Sequence, residues 1–246
     1  MSRILEPSPT WFEIDPAFYA HGGSCLSEEE HAAIGEAKGL RAIVGPVTPE
    51  TRAEEALSLV NLGATVLAWA PDEPSASPGR HLATQAGLPL HWHIGPLETL
   101  AAHQPATFDL LYHGWGGLTA TLDLDHWAAT IATLLTPGGR LVLYDRHPFA
   151  TVAELHKGLL VIARGYFPYR PGDNPWTLGD LLTALATAGF ALELLDEFPG
   201  SQRYRTALDR LPALQWEQRL RLPTAMLIAA HRAYHIQDLA EPTPTR

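Results

Sequence analysis

Cysteine is almost absent from this chain. Its 246 residues include only Cys25, which excludes an internal disulfide framework and any zinc site built from several thiolates. Lysine is scarce as well. Of 17 basic residues only Lys38 and Lys157 are lysines, and abundant Ala, Leu, Pro and Gly accompany the arginines, a bias of coding rather than of chemistry. No apolar run reaches the ~18 residues that span a bilayer, so a membrane is not an expected partner. The opening MSRILEPSPTWFEIDP lacks the apolar core of a secretory signal. Basic charge is in deficit, 17 residues against 27 acidic ones, for a net charge of −10. A chain that neutralises many phosphates carries a basic face, so nucleic acid is not expected either. Arg203, Arg205, Arg210, Arg219, Arg221 and Arg232 do crowd the C-terminal third, but acids are interspersed with them and they read as solvated charges. The P-loop, the GxSxG elbow and the HExxH helix are all missing. Together these absences describe a soluble protein, expected in the cytoplasm.

What is present is a large apolar fraction, 46% of residues. A chain of this length buries roughly 70–75% of its unfolded surface, so a single domain over 1–246 is expected. The first 24 residues are turn-rich and read as an N-terminal arm. Ser27 followed by Glu30 forms a capping-box pattern, with Gly39 as a stop. Beyond it, short apolar runs alternate with helical periodicity. Strands are expected at 40–44, 65–69, 91–94, 108–112, 141–144, 190–195 and 225–230. Helices are expected at 49–62, 78–86, 125–135 and 177–188. Pro137-Gly138-Gly139 reads as a tight turn. Strands separated by helices imply right-handed crossovers and a mostly parallel sheet. The close spacing of the last two strands points to an antiparallel ending. In such a sheet, ligands bind at the carboxyl ends of the strands.

The run FDLLYHGWGGLTATLDLDHWAATIATLLTPGGRLVLYDRHPF (108–149) resembles the second half of a class I S-adenosylmethionine-dependent methyltransferase. A strand, a glycine-containing loop, a helix, a PGG turn and a strand ending at Asp145 follow in the family's order. PWTLGDLLTALATAGFALELLDEFP (175–199) and RLPTAMLIAAHR (221–232) resemble its later elements. The resemblance covers roughly 25–232 and is clearest over 108–198. It implies an α/β, three-layer, doubly wound sheet of seven mostly parallel strands with an antiparallel last strand. It implies S-adenosylmethionine as cofactor, methyl transfer as activity and a small molecule as acceptor.

The resemblance also places the site. Gly45, Thr48 and Glu50 fall on the loop that takes the methionine part, Asp72 lies just past the ribose-binding slot, and Gly95 falls at the adenine slot. His113, His147 and Asp145 are the candidate catalytic groups: a histidine as base, with Asp145 orienting His147. Trp115, Tyr166 and Tyr19 are candidates for the substrate pocket, and segments 1–24 and 150–176 for covering the cleft. Read residue by residue, however, the first loop departs from the pattern. Val44 to Arg52 holds one glycine and two prolines, and each proline removes an N–H donor. The ribose slot itself falls on Ala70. A second reading therefore stands beside the first: a non-catalytic binding or dimerisation module, including a homodimer, that keeps the fold without the cofactor. His91 and His93 alternate on one strand, but no third ligand at metal spacing accompanies them, so no metal is expected.

Overall fold

Local signals set most of the elements. The computed structural model describes residues 15–118, 121–156, 159–169, 175–201, 203–204 and 222–233. A short helix α1 (Pro16–Ala20) begins on the Asp15 cap. α2 (Glu28–Ile34) opens on the expected capping box between Ser27 and Glu30 but ends at Gly35, in the left-handed region, four residues before Gly39. β1 (Arg41–Gly45) leads to α3 (Glu54–Asn61). That helix starts five residues later than its periodicity suggests, because Arg52 and Ala53 are left-handed and break it. β2 (Thr65–Ala70) is followed by α4 (Glu73–Ala86), which begins earlier than expected because Asp72 caps it. Next come β3 (His91–Ile94), an unforeseen α5 (Leu97–His103), β4 (Phe108–His113), α6 (Leu124–Leu134) and β5 (Leu135–Arg146). The PGG turn lies inside β5, where the register with β4 shifts between Phe108 and Leu110. α7 (Phe149–Val152) and the hairpin β6 (Ala153–His156) and β7 (Leu159–Ile162) occupy part of the segment expected to cover the cleft. α8 (Leu178–Thr187), β8 (Phe190–Phe198) and β9 (Ala225–Arg232) complete the described chain.

The main sheet has seven strands in the order β3-β2-β1-β4-β5-β9-β8. Strands β3 to β5 are mutually parallel, and β9 runs antiparallel to both β5 and β8. Alternation divides the strand residues between two cores. Val44, Val66, Tyr112, Val142, Tyr144 and Leu227 face α2 and α3. Ile43, Leu111, Leu143, Met226 and Ile228 face α5, α6 and α8. Chain order reverses between β1 and β4, so the loops after these strands diverge there and form the crevice where such sheets hold ligands.

Close packing at that point limits what the sequence can hold. A Cβ on Gly45 would lie 2.5 Å from the Trp69 carbonyl oxygen, which is backbone and cannot give way. We expect Gly45→Ala to destabilise the protein by about 1–3 kcal/mol in urea denaturation. Gly179→Ala in the first turn of α8, where a Cβ meets only the Thr177 hydroxyl at 3.6 Å, should be neutral or stabilising by up to about 1 kcal/mol.

Candidate functional site

The loop after β1 uses most of its backbone donors within the protein. Pro46 and Pro49 carry no N–H. The Val47 N–H donates to the Trp69 carbonyl at 2.7 Å, extending the strand pairing past Gly45. Thr48 and Thr51 bracket each other: each backbone N–H donates to the other's hydroxyl, at 3.0 and 3.2 Å. The N–H groups of Arg52 and Glu54 donate to the carbonyls of Thr48 and Thr51, both at 3.0 Å. Five donors between 46 and 54 are thus used within the protein.

Groups from both sides pack closely at the crevice between β1 and β4. Gly45 pairs in register with His113, and the Trp69 ring lies over Gly45 from the other side. A Cβ on Gly117, in the loop after β4, would sit 2.5 Å from Pro46 Cδ and against the His113 ring. The Pro46 ring therefore packs directly on that loop. Trp69 Nε1 donates to the Gly95 carbonyl at 2.8 Å, and the Gly95 N–H donates to Ala70. Gly95, at φ 131°, is committed to closing the end of β3 onto β2. The Asp72 carboxylate accepts the Ser75 N–H at 2.8 Å as the cap of α4, and the Ser75 hydroxyl, with that N–H, lowers its pKa. Glu50 is exposed and pairs with Arg146 at 3.4 Å.

The catalytic candidates are also occupied. His113 is buried, its ring edge-on to Trp127 at 5.2 Å. Among the described residues Nδ1 has no hydrogen-bond partner, and burial holds the His113 pKa down at about 3. It is a neutral core imidazole. Asp145 accepts the N–H groups of Gly116 (2.6 Å), Leu118 (2.9 Å) and Arg146 (2.6 Å). Its buried carboxyl is pushed up to about 6 by loss of water, against the pull of those donors. Asp145 shapes the loop after β4 and forms no pair with His147. His147 Nδ1 accepts the Phe149 N–H at 3.0 Å, which puts the ring proton on Nε2. The Glu197 carboxylate lies 2.8 Å from Nε2 but out of hydrogen-bond alignment. Burial is the largest influence on His147 and lowers its pKa, with Glu197 opposing it.

The pocket candidates separate. Tyr19 is fully buried with Cys25, Leu57 and Leu82, packed under α4. The Tyr166 hydroxyl accepts the Leu178 N–H at 3.1 Å and ties its segment to α8. Trp115 alone lies at the crevice. It is 1% exposed, stacked on Tyr204 at 5.2 Å and beneath the Arg146 guanidinium at 5.6 Å.

Sequence reasoning missed a dense polar cluster. Arg203, expected among the solvated charges, is buried. Its Nη2 donates to Glu30 at 2.6 Å and to the Tyr112 hydroxyl at 3.1 Å. Nη1 donates to the same Glu30 carboxylate and to the Cys25 carbonyl at 3.0 Å. Glu55 lies 3.6 Å away and accepts the Tyr204 hydroxyl. The Tyr144 and Tyr204 rings face the guanidinium at 5.0 and 5.4 Å. The capping box had marked Glu30, but only for its backbone role. Arg205, Arg210, Arg219 and Arg221 lie outside the described residues, as do residues 1–14 of the N-terminal arm. Among the described residues no group of three or more His, Cys, Asp or Glu could hold a metal ion, and no helix is long and apolar enough to cross a membrane.

Two expectations follow from the buried ionisable groups. His113 titrates lower folded than unfolded, so its contribution is complete above about pH 6.5 and is lost as pH falls toward about 3. Asp145 has the opposite sign: its folded value, about 6, exceeds the ordinary 3.8, so stability declines as pH rises between them. His113→Leu should flatten the acid limb of the stability curve by up to about 1.4 kcal/mol per pH unit, measured by urea denaturation between pH 4 and 7. An unchanged limb would contradict the neutral buried assignment. Asp145→Ala leaves buried N–H groups without an acceptor and should cost about 2–4 kcal/mol, read in the same assay at pH 7.

No family model matches the chain, and no curated protein matches it in sequence. Solved structures do match. An S-adenosylmethionine-dependent methyltransferase from Mesorhizobium loti is 23% identical, with TM-score 0.60, over 83% of this chain and 96% of that one. Geranyl diphosphate C-methyltransferase from Streptomyces coelicolor A3(2), solved with Mg2+, geranyl diphosphate and S-adenosyl-L-homocysteine, is 12% identical, with TM-score 0.58, over 84% and 78%. The [4+2]-cyclase SpnF is 14% identical, with TM-score 0.59, over 89% and 92%. With the strand order and the antiparallel β9, these matches establish that the chain has the fold of the class I S-adenosylmethionine-dependent methyltransferases.

Proposed function

We propose that this chain is a methyltransferase-fold binding module that does not use S-adenosylmethionine, rather than a methyltransferase acting on a small acceptor. The observation that carries this reading is the packed switch point: the Pro46 ring on Gly117, below a loop five of whose N–H groups are bonded to the protein itself. A nucleotide-type cofactor needs free backbone donors and a close backbone approach at such a loop. The residues present do not fit that need. The ribose slot is Ala70, which is fully buried, and the nearby Asp72 is committed to the α4 cap. Each charge-assisted hydrogen bond to a ligand contributes about 1.5–3 kcal/mol. Two missing contacts, at the loop and at the ribose slot, remove roughly two to four decades of affinity at about 1.4 kcal/mol per decade.

Fold alone does not decide the matter, because one fold hosts many chemistries. The cyclase among the matched structures carries a name with no methyl transfer in it. The candidate bases add support to the binding reading, since His113 is neutral and buried and Asp145 is spent on the loop after β4. No step of methyl transfer is therefore assigned to them.

Isothermal titration with S-adenosylmethionine and with its demethylated product tests the proposal. No heat of binding is expected at millimolar ligand. A micromolar constant for either compound would overturn the reading and restore methyl transfer to a small molecule as the function.

A further inference from the structure

His147 sits in a frame of backbone bonds that leaves its ring to respond to its surroundings. Its N–H donates to the Thr224 carbonyl at 3.0 Å, and the Thr224 N–H donates to the Phe198 carbonyl at 2.8 Å. These two bonds tie the end of β5, through the approach to β9, to the end of β8. They bring Glu197, the neighbour of Phe198, beside the ring. His147 is buried, at 4% exposure, while Glu197 is half-exposed. Nδ1 accepts the Phe149 N–H at 3.0 Å, and Nε2 lies 2.8 Å from the Glu197 carboxylate, out of line for a hydrogen bond. The neutral ring thus serves α7 rather than β8.

α7 depends on that bond. It has four residues, too few for helix propensity to hold it. At its start the Phe149 N–H goes to the ring, the Ala150 N–H to the His147 carbonyl at 2.8 Å, and the Thr151 N–H to the Pro148 carbonyl at 3.2 Å. At its end the Val152 carbonyl accepts the N–H groups of Ala163 and Arg164, at 2.9 and 3.3 Å, and so carries the base of the β6–β7 hairpin. The ion pair of Glu154 with Arg164 is exposed, and such pairs contribute little. Protonation of the ring reverses this arrangement. A hydrogen on Nδ1 meets the Phe149 N–H donor against donor, and the bond is lost. The positive charge then faces Glu197 at Nε2. Among the described residues Glu197 is the one charge that acts on the ring. Asp145, two residues earlier, is bonded to the N–H groups of Gly116, Leu118 and Arg146, and the Arg146 guanidinium pairs with Glu50. Thr224 presents a carbonyl and a hydroxyl but no charge, and α7 carries none.

We propose that His147 is an acid-sensitive latch on α7. Neutral, it holds the Phe149 N–H through Nδ1. Protonated, it releases that N–H, pairs through Nε2 with Glu197, and loosens α7 together with the hairpin base that Val152 carries. Burial sets the latched ring against its charged form, so opening is linked to the uptake of a proton and grows as pH falls. The device involves no cofactor, and it stands or falls separately from the binding-module reading.

Amide hydrogen exchange tests it, read by NMR in the full chain and corrected for the intrinsic rate at each pH. From about pH 7.5 to about pH 5.5, protection of the Phe149, Ala150 and Ala163 amides should fall by about tenfold relative to the Leu143 amide in β5. His147→Asn supplies a side-chain carbonyl for the N–H two residues on but takes no proton. In that variant the same ratio should change by less than about twofold. Glu197→Gln removes the charge that receives the protonated ring, and the fall should move lower by about half a pH unit. At neutral pH the nitrogen shifts of the His147 ring should place its hydrogen on Nε2. A flat ratio in the unsubstituted protein, an equal fall in His147→Asn, an unmoved fall in Glu197→Gln, or a hydrogen on Nδ1 at neutral pH each overturns the proposal. If His147→Asn does not fold, the ring shifts and Glu197→Gln decide on the same terms.

Discussion

A buried guanidinium shared between carboxylates ties α2, α3 and β4 of this molecule together. Arg203 joins α2 through Glu30, α3 through Glu55, and β4 through Tyr112. Each of these charges would be costly alone in the interior, by several kcal/mol even after relaxation. Together they offset one another: Arg203 donates to Glu30, the Tyr112 phenol and the Cys25 carbonyl, and Glu55 accepts the Tyr204 hydroxyl. The consequence is directional. The first turn of α3, where a phosphate- or carboxylate-binding loop would present free N–H groups, instead presents Glu55 to Arg203 and Glu54 to Arg52.

The same turn carries the left-handed Arg52 and Ala53. Their conformation lets the Thr48–Thr51 bracket close before the helix begins. On the other face of the sheet, Trp69 and His113 flank Gly45 and Pro46 rests on Gly117. Asp145 keeps Gly117 where Pro46 can reach it, through the N–H groups on either side. A crevice that topology creates is thus narrowed by small local choices: one proline, one tryptophan, and one buried carboxylate. The fold keeps its strand order because that depends on the alternating cores, which these changes leave untouched.

Strands and helices were largely legible. β2, β3 and β4 match their apolar runs to within a residue, because each alternates or continues over a fixed length. α6 and α8 follow their helical spacing in the same way. Boundaries failed where tertiary bonds intervene. α3 begins at Glu54 rather than Pro49 because the threonine bracket competes with the helix for the same backbone. α5 was missed because seven residues give too short a period to register. The candidate site was legible only in part. The poverty of donors after β1 can be read from two prolines, but the occupation of the remaining N–H groups cannot.

By itself the sequence determined the alternation of strands and helices, and with it the class of sheet. It also determined that the loop after β1 would be short of glycine and of N–H groups. These are properties of neighbours along the chain, set by periodicity and by proline's missing hydrogen. Only the tertiary structure decided which groups would meet. Arg203 and Glu30 are 173 positions apart, and Asp145 reaches back 29 residues to Gly116. In one dimension a buried arginine and a solvated one look the same, because burial is a property of what folds around a side chain and not of the side chain's own sequence neighbours.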